Sequence, residues 1–395
     1  MASIPLQHGL FIAPYHDVDE SPTIALRRDL ELVQHVDRLG FKEAWFGEHH
    51  STGWETVGSP ELMIAAAAEI TKQIRLGTGV ISLPYHNPLM VANRIIQLDH
   101  MTMGRVMFGV GPGLLTTDAT MLGVDIKTQR NAMVEALEVI LPLLRGEEVT
   151  AKSSWYDLDR ARVHLLPYTY PHPEVAVASA ITPSGGMLAG RLGLGMLCVA
   201  ATETQGFDVL GENWRVANEI AAEHGRTMDP RQLRLVAPMH IAETREQARA
   251  DVAKGLARWC EYFDRVAPKG MGGLLDHGDP VDLLVNSGRA VIGTPADAAE
   301  MIAKLQAKQG DFGVLLLQAH NWAEWEATKR SYELYARFVM PQVSGVNRNR
   351  QQSFERLRED FEAVQEERQK GVDLAFAKWE AHAAASTPPR KSGRA

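Results

Sequence analysis

Cysteine is nearly absent from this chain: 395 residues hold only Cys198 and Cys260, far apart and in no metal or redox spacing. A disulfide framework is therefore not expected. No stretch reaches the roughly 18 uninterrupted apolar residues of a membrane-spanning helix. The first ten residues also lack the basic, apolar, small-residue order of a secretion signal. The expected setting is the cytoplasm, with no membrane partner. Runs of basic residues are missing before the last few positions, and 41 Lys+Arg against 49 Asp+Glu leave a net charge of −8. That balance gives no footprint for nucleic acid.

What is present is a 45% apolar composition, enough for a large core. The apolar runs are short and recur with helical patterns between them. His8 to Ala13, Glu43 to Phe46, Arg75 to Leu83 and Val106 to Val110 read as buried strands. Val175 to Ala178, Met196 to Ala200, Leu233 to Ile241 and Gly313 to Leu317 continue the series. Each is followed by a helical segment. Gly40 stops the first, and Ser59-Pro60-Glu61 opens the second. Eight strand–helix units in about 340 residues predict an α/β fold, a closed (β/α)8 TIM barrel with insertions.

Two segments interrupt the alternation. Lys152 to His172, with Trp155, Tyr156, Tyr168 and Tyr170, reads as an insertion over a barrel end. Pro268 to Arg289, rich in glycine, reads as a mobile loop. Both are candidates for pocket walls or a lid, or equally for surface insertions without a role. The predicted organisation is a barrel over residues 1–345, an amphipathic helical extension over 346–382 and a disordered tail over 383–395. Phe354, Leu357, Phe361 and Val364 recur at helical steps in the extension, a stripe expected to pack on the barrel or on a second subunit.

In such a barrel the active site lies at the carboxyl ends of the strands. Gly47-Glu48-His49-His50 follows the second strand there. It reads as a proton-transfer site, a metal site, or two histidines bonded to loop carbonyls, and adjacent histidines without ligand spacing make a poor metal site. Gly109, Gly111 and Gly113 after the fourth strand suggest close backbone approach to a ligand, although Pro112 makes a poor phosphate cradle. Ser179 and Thr182 precede a helix start at Pro183 and suit either a phosphate or a plain cap. Gly77 and Gly79 inside a strand mark a bulge or a ligand lying on the backbone.

Taken in order, these motifs resemble the bacterial-luciferase-like, flavin-dependent monooxygenases over roughly residues 8–341. Gly47-Glu48-His49-His50, Leu76-Gly77-Thr78-Gly79-Val80, Leu98-Asp99-His100-Met101 with Gly104-Arg105, and Gly293-Thr294-Pro295 carry the resemblance. Gly53-Trp54-Glu55-Thr56, Tyr85-His86-Asn87-Pro88 and Gly111-Pro112-Gly113 resemble its limonene 1,2-monooxygenase branch. The resemblance implies reduced FMN supplied by a separate NAD(P)H:flavin reductase, O2 as co-substrate and a flavin 4a-hydroperoxide that oxygenates a small apolar substrate. Epoxidation of a terpene-like alkene and Baeyer–Villiger oxidation of a ketone both follow from it.

By the same resemblance His49 is the catalytic residue, and Gly79-Val80 matches a non-prolyl cis peptide beneath the flavin. Gly111, Gly113, Ser179 and Thr182 complete the cofactor set. Pro112 and Ala178 depart from luciferase, which has arginine and glutamate there. Trp54, Tyr85, His320 and Trp322 are the expected substrate-pocket residues, no metal is expected, and a homo-oligomer, a dimer or higher, is implied. A deazaflavin-dependent dehydrogenase or reductase on the same barrel is the alternative enzyme. A non-catalytic flavin-binding barrel is the alternative of another class.

Overall fold

Leu10, Ile12, Ala44, Trp45, Leu76, Phe108, Val177, Leu235 and Leu315 are almost fully excluded from water, and all lie on parallel strands. The computed structural model describes residues 4–13, 15–266 and 278–386. The strands are β1 (Gln7–Ile12), β2 (Glu43–Phe46), β3 (Arg75–Thr78), β4 (Val106–Gly111), β5 (Glu174–Ser179), β6 (Gly195–Cys198), β7 (Leu233–Ile241) and β8 (Val314–Gln318). Each pairs in parallel with the next, and β8 returns to β1 with Gly9 opposite Leu316. The result is a closed eight-stranded (β/α)8 barrel, with helices outside it.

Local sequence chemistry places the helix ends. Gly40 closes the Pro22–Leu39 helix at φ +89°, donating to Val36 and Asp37 carbonyls. Asn87 caps Pro88–Met101 through its side chain, and Thr294 with Asp297 forms a capping box on Pro295–Gln309. Two helices depart from expectation. Gly206 to His224 divides into Thr204–Asp208 and Leu210–Glu223, while Pro280–Ser287 is a helix where the sequence suggested loop. Asp279 caps the latter, Pro280 opens it and Val281 and Leu284 are buried, so the cap-and-proline signal outweighs the local glycine content. The rest of that expected loop, residues 267–277, lies outside the described residues.

The barrel interior is filled at its amino end. Glu43, Arg75, Glu174 and Arg234 lie at or next to the first residues of their strands. Arg234 Nε donates to Glu43 Oε2 at 2.7 Å, and its Nη2 donates to Glu43 Oε1 at 2.9 Å and Glu174 Oε1 at 2.6 Å. Arg75 Nη2 lies 2.8 Å from Glu174 Oε2. Two cations and two anions cancel. The Arg234 guanidinium sits 4.9 Å from the Trp45 ring centroid, and Trp45 Nε1 donates to Glu43 Oε2 at 2.9 Å. Above this plug Phe11, Met107, Leu197, Val236 and Leu316 pack in the bore.

Gly77 is explained by that packing, not by a ligand. A Cβ there would stand 2.5 Å from Trp45 Cε3, and one on Gly109 would stand 2.9 Å from Trp45 Cζ3 and collide with the Thr78 carbonyl. The Lys152 to His172 insertion does pack over a barrel end, but over the amino end. It begins in an antiparallel hairpin, Val149–Lys152 with Asp157–Ala161, that follows the Gln129–Leu144 helix and precedes β5. Thr169 bonds to the Asp99 carboxylate and His100 to the Leu166 carbonyl, so the insertion packs at the amino end of the barrel. It is not a lid.

The chain divides into two units, Met1–Ser344 and Gly345–Ala395. In the second, helices Arg348–Glu359 and Phe361–Ser386 follow one another, and Phe354, Leu357, Phe361 and Val364 are exposed. The first four residues of the expected tail, 383–386, are helical, and 387–395 lie outside the described residues.

The plug predicts a large penalty for breaking it. Arg234→Ala takes from the buried Glu43 carboxylate its two shortest ion-pair contacts and is expected to destabilise the barrel by about 3–5 kcal/mol. A urea-unfolding midpoint equal to that of the parent would contradict this.

Candidate active site

Two cavities open at the carboxyl ends of the strands. The first, about 290 Å³, is lined by Phe11, Gly47, Glu48, His49, Glu55, Gly79, Val80, Gly111, Gly113, Arg130, Ser179, Thr182 and Glu203, among others. His49 and all six expected cofactor residues therefore meet in one place. The second, about 310 Å³, is lined by Trp54, His320 and Trp322, so these three expected pocket residues belong to a separate cavity. Ala13 and Tyr15 line both. Tyr85 lines neither: its hydroxyl accepts from Gln129 Nε2 at 3.0 Å, and the space beside it is kept by Gly113 at φ +91°. None of residues 152–172 or 278–289 lines either cavity.

Backbone pairing positions the loops after β1 and β2. Tyr15 bridges Glu55, and the His16 N–H donates to the Trp54 carbonyl at 2.9 Å. This puts Glu55 beside His49. His49 Nε2 is 3.2 Å from Glu55 Oε2, and its Nδ1 is 3.0 Å from Asp118 Oδ2. The imidazole is held between two carboxylates. Burial works against its charge, but Glu55 and Asp118 outweigh burial and raise its pKa above the usual histidine value. Burial also raises the pKa of Glu55, against the pull of His49. Glu55 Oε1 accepts from the Tyr262 hydroxyl at 2.5 Å, and burial together with Glu55 keeps that phenol protonated.

His50 has a different task. Its Nε2 donates to Glu48 Oε1 at 2.9 Å, His86 Nε2 reaches the same oxygen at 2.5 Å, and the Ser82 N–H donates to Glu48 Oε2 at 2.6 Å. Burial would raise the Glu48 pKa, but these donors hold it below the usual carboxylate range. Glu48 thus ties the loops after β2 and β3 together. The imidazoles of both histidines pair with carboxylates, not with loop carbonyls.

The floor and the far wall are built from backbone. The Gly79–Val80 peptide is cis, the geometry the resemblance implies there. A Cβ on Gly111 would stand 2.6 Å from Val80 Cγ2. At the other side Pro183 is the cap residue of the Ser184–Leu192 helix and no side chain caps it. The cap explanation for Ser179 and Thr182 therefore falls away. Ser179 Oγ is buried beside the Cys198 thiol, and Thr182 Oγ1 pairs with Ser184 Oγ at 2.8 Å. Arg130, on the Gln129–Leu144 helix, reaches the same cavity.

Sequence reasoning missed Glu55 and Asp118 as partners of His49, and Tyr262 and Arg130 altogether. Glu55 stood inside a quoted motif, six residues from His49, with nothing in the spacing to pair them. The others come from distant elements.

The family model for luciferase-like monooxygenases matches residues 6–311. The chain belongs to that family. It is 47% identical over 337 residues to the limonene 1,2-monooxygenase of Rhodococcus erythropolis, covering 85% of this chain and 86% of the relative. It is 41% identical to the 4-hydroxyprotoasukamycin monooxygenase of Streptomyces nodosus subsp. asukaensis, over 86% of this chain and 93% of the relative. Among solved structures, the oxygenating constituent of 3,6-diketocamphane monooxygenase of Pseudomonas putida, a type II Baeyer–Villiger enzyme in complex with FMN, superposes with a TM-score of 0.74. That match has 25% identity and covers 86% of this chain and 99% of the other. An F420-dependent secondary alcohol dehydrogenase shares the fold at 17% identity and a TM-score of 0.62. The protein is a flavin-dependent monooxygenase.

The electrostatic account of His49 carries a sign. Asp118→Asn removes one of the two anions that raise its pKa, so the value should fall. An NMR titration of the His49 ring that is unmoved by the substitution would contradict the pairing.

Proposed function

We propose that this enzyme inserts one oxygen atom from O2 into a small apolar alkene, of the cyclic terpene class, using reduced FMN delivered by a separate NAD(P)H:flavin reductase. The first cavity fits the cofactor. The Ser179, Thr182 and Ser184 hydroxyls and the amino end of the Ser184–Leu192 helix suit a phosphate, because the first amides of a helix have no internal acceptor. Arg130 supplies a cation on the cavity wall and has no ion-pair partner among the described residues, which answers the loss of positive charge at Pro112. Val80 packs on Gly111, and both line the cavity with Gly79.

Reduced FMN, when bound, supplies the two electrons that activate dioxygen. The protein's own part is to exclude water and to manage one proton. Phe11, Val80, Met133, Leu188, Val199 and Val236 give the cavity an apolar lining that shields a reactive centre from hydrolysis. Glu55 and Asp118 favour the protonated form of His49, and the observation that carries the proposal is this imidazole, set between two carboxylates, on the cavity wall. A proton donor favours an electrophilic oxygen, hence epoxidation, over nucleophilic attack on a ketone. The 47% identity to a limonene 1,2-monooxygenase supports the same substrate class.

Two variants separate binding from turnover. His49→Ala should retain FMN and lose epoxide, as read by fluorescence quenching and mass spectrometry. Arg130→Ala should weaken FMN roughly tenfold while leaving riboflavin, which has no phosphate, unchanged. Full turnover by the first variant, or equal losses for both flavins in the second, would remove these roles.

A further inference from the structure

The two carboxylates on His49 are supported very differently. Asp118 Oδ1 accepts from the His50 N–H at 3.1 Å and from the Ser51 hydroxyl at 2.5 Å, and Oδ2 faces His49 Nδ1 at 3.0 Å. Burial works against the Asp118 charge, but these donors hold its carboxyl below the usual range. Glu55 has less. Its side chain is 2% exposed, its Oε1 accepts from the Tyr262 hydroxyl at 2.5 Å, and its Oε2 accepts no hydrogen bond among the described residues, lying 3.2 Å from His49 Nε2. Asp118 stays ionised on local support, whereas Glu55 depends on His49 and one distant hydroxyl.

That hydroxyl is set in place by packing. Tyr262 lies on the Arg245–Arg265 helix, and its ring meets Tyr15 at 4.8 Å, Phe263 at 5.3 Å and Trp54 at 6.0 Å, each edge to face. Burial, then Glu55 and Tyr15, raise its pKa, so the phenol stays protonated and serves Glu55 as a donor. A carboxylate taken out of water without donors protonates rather than hold its charge. Burial already raises the Glu55 pKa, and His49 and the Tyr262 hydroxyl oppose it. The other groups facing this pair are Glu48, His50 and Asp118 beside His49, Tyr15 beside Glu55, and Arg258 over Trp54. Arg258 is committed to Asp17, at 2.8 and 2.7 Å.

We propose that Tyr262 is a positioning residue for proton transfer: its hydroxyl keeps Glu55 in the carboxylate form and so keeps the proton of the Glu55–His49 pair on the imidazole. This rests on the reading of His49 as the proton donor in oxygen transfer. Tyr262 does not line the first cavity, so it acts through Glu55 and not on substrate or cofactor. Without the hydroxyl, every state of the pair with an ionised Glu55 loses support. The proton then moves to the carboxylate, and the imidazole loses one of the two anions that favour its charge.

The test is an NMR titration of the His49 ring in the full chain without flavin, for the parent, Tyr262→Phe, Glu55→Gln and the double variant. Tyr262→Phe keeps the ring and removes the donor, and the His49 midpoint should fall by about one pH unit or more. Glu55→Gln should lower it too, and adding Tyr262→Phe to Glu55→Gln should lower it no further. Activity that needs the charged imidazole is lost as pH rises through its midpoint, so the alkaline limb of kcat should move to lower pH in Tyr262→Phe, with FMN affinity unchanged. A ring-fluorinated tyrosine at position 262, a stronger donor of nearly the same shape, should leave the midpoint at or above the parent's, and it carries the test if Tyr262→Phe does not fold. The proposal is overturned by an unmoved midpoint in Tyr262→Phe, by an equal fall when Glu55 is already replaced, or by a fall with the fluorinated residue. The expected shifts in a protein that forms no epoxide would uphold Tyr262 and contradict the proposed function instead.

Discussion

The buried guanidinium of Arg234 is the constraint on which the rest of this barrel depends. A charge at 1% exposure survives only because Glu43 and Glu174 surround it and Trp45 covers it. Trp45 in turn fills the bore, and it does so only where Gly77 and Gly109 offer no side chain. Once the amino half of the bore is filled, the bore is open toward the carboxyl ends of the strands. The placement of His49, Gly79, Gly111 and Ser179 around one cavity follows from that one-ended filling.

The eight strands were readable because a parallel barrel buries both faces of each, leaving short continuous apolar runs such as β2 and β7. The glycines were half readable. Gly79, Gly111 and Gly113 do line a cavity, but Gly77 and Gly109 make room for an indole whose position no local pattern announces. The Lys152 to His172 segment misled because its aromatics suggest a wall, whereas Tyr156 and Leu158 are buried in the core between strands and helices and Thr169 is fastened to Asp99. Asp99, His100 and Arg105, quoted as family landmarks, anchor neighbouring backbone and side chains rather than substrate.

The site itself shows the same limit. His49 was legible as a residue type at a strand end, but its chemistry comes from Glu55 and Asp118, and the latter sits 69 residues away on the Thr116–Met121 helix. Pairing of that kind is tertiary. Trp54, His320 and Trp322 were legible as aromatics near strand ends, and the fold assigns them to a neighbouring cavity instead. Pro112, Ala178 and Arg130 line one cavity, and no local pattern tied the arginine to the other two.

The central claim is that this barrel transfers one oxygen atom from O2 to an apolar alkene. The direct measurement is turnover of a cyclic terpene under 18O2 with reduced FMN, with the product read by mass spectrometry. One labelled oxygen per product molecule, as an epoxide, is the predicted result. A dehydrogenated product formed without oxygen uptake would contradict the account.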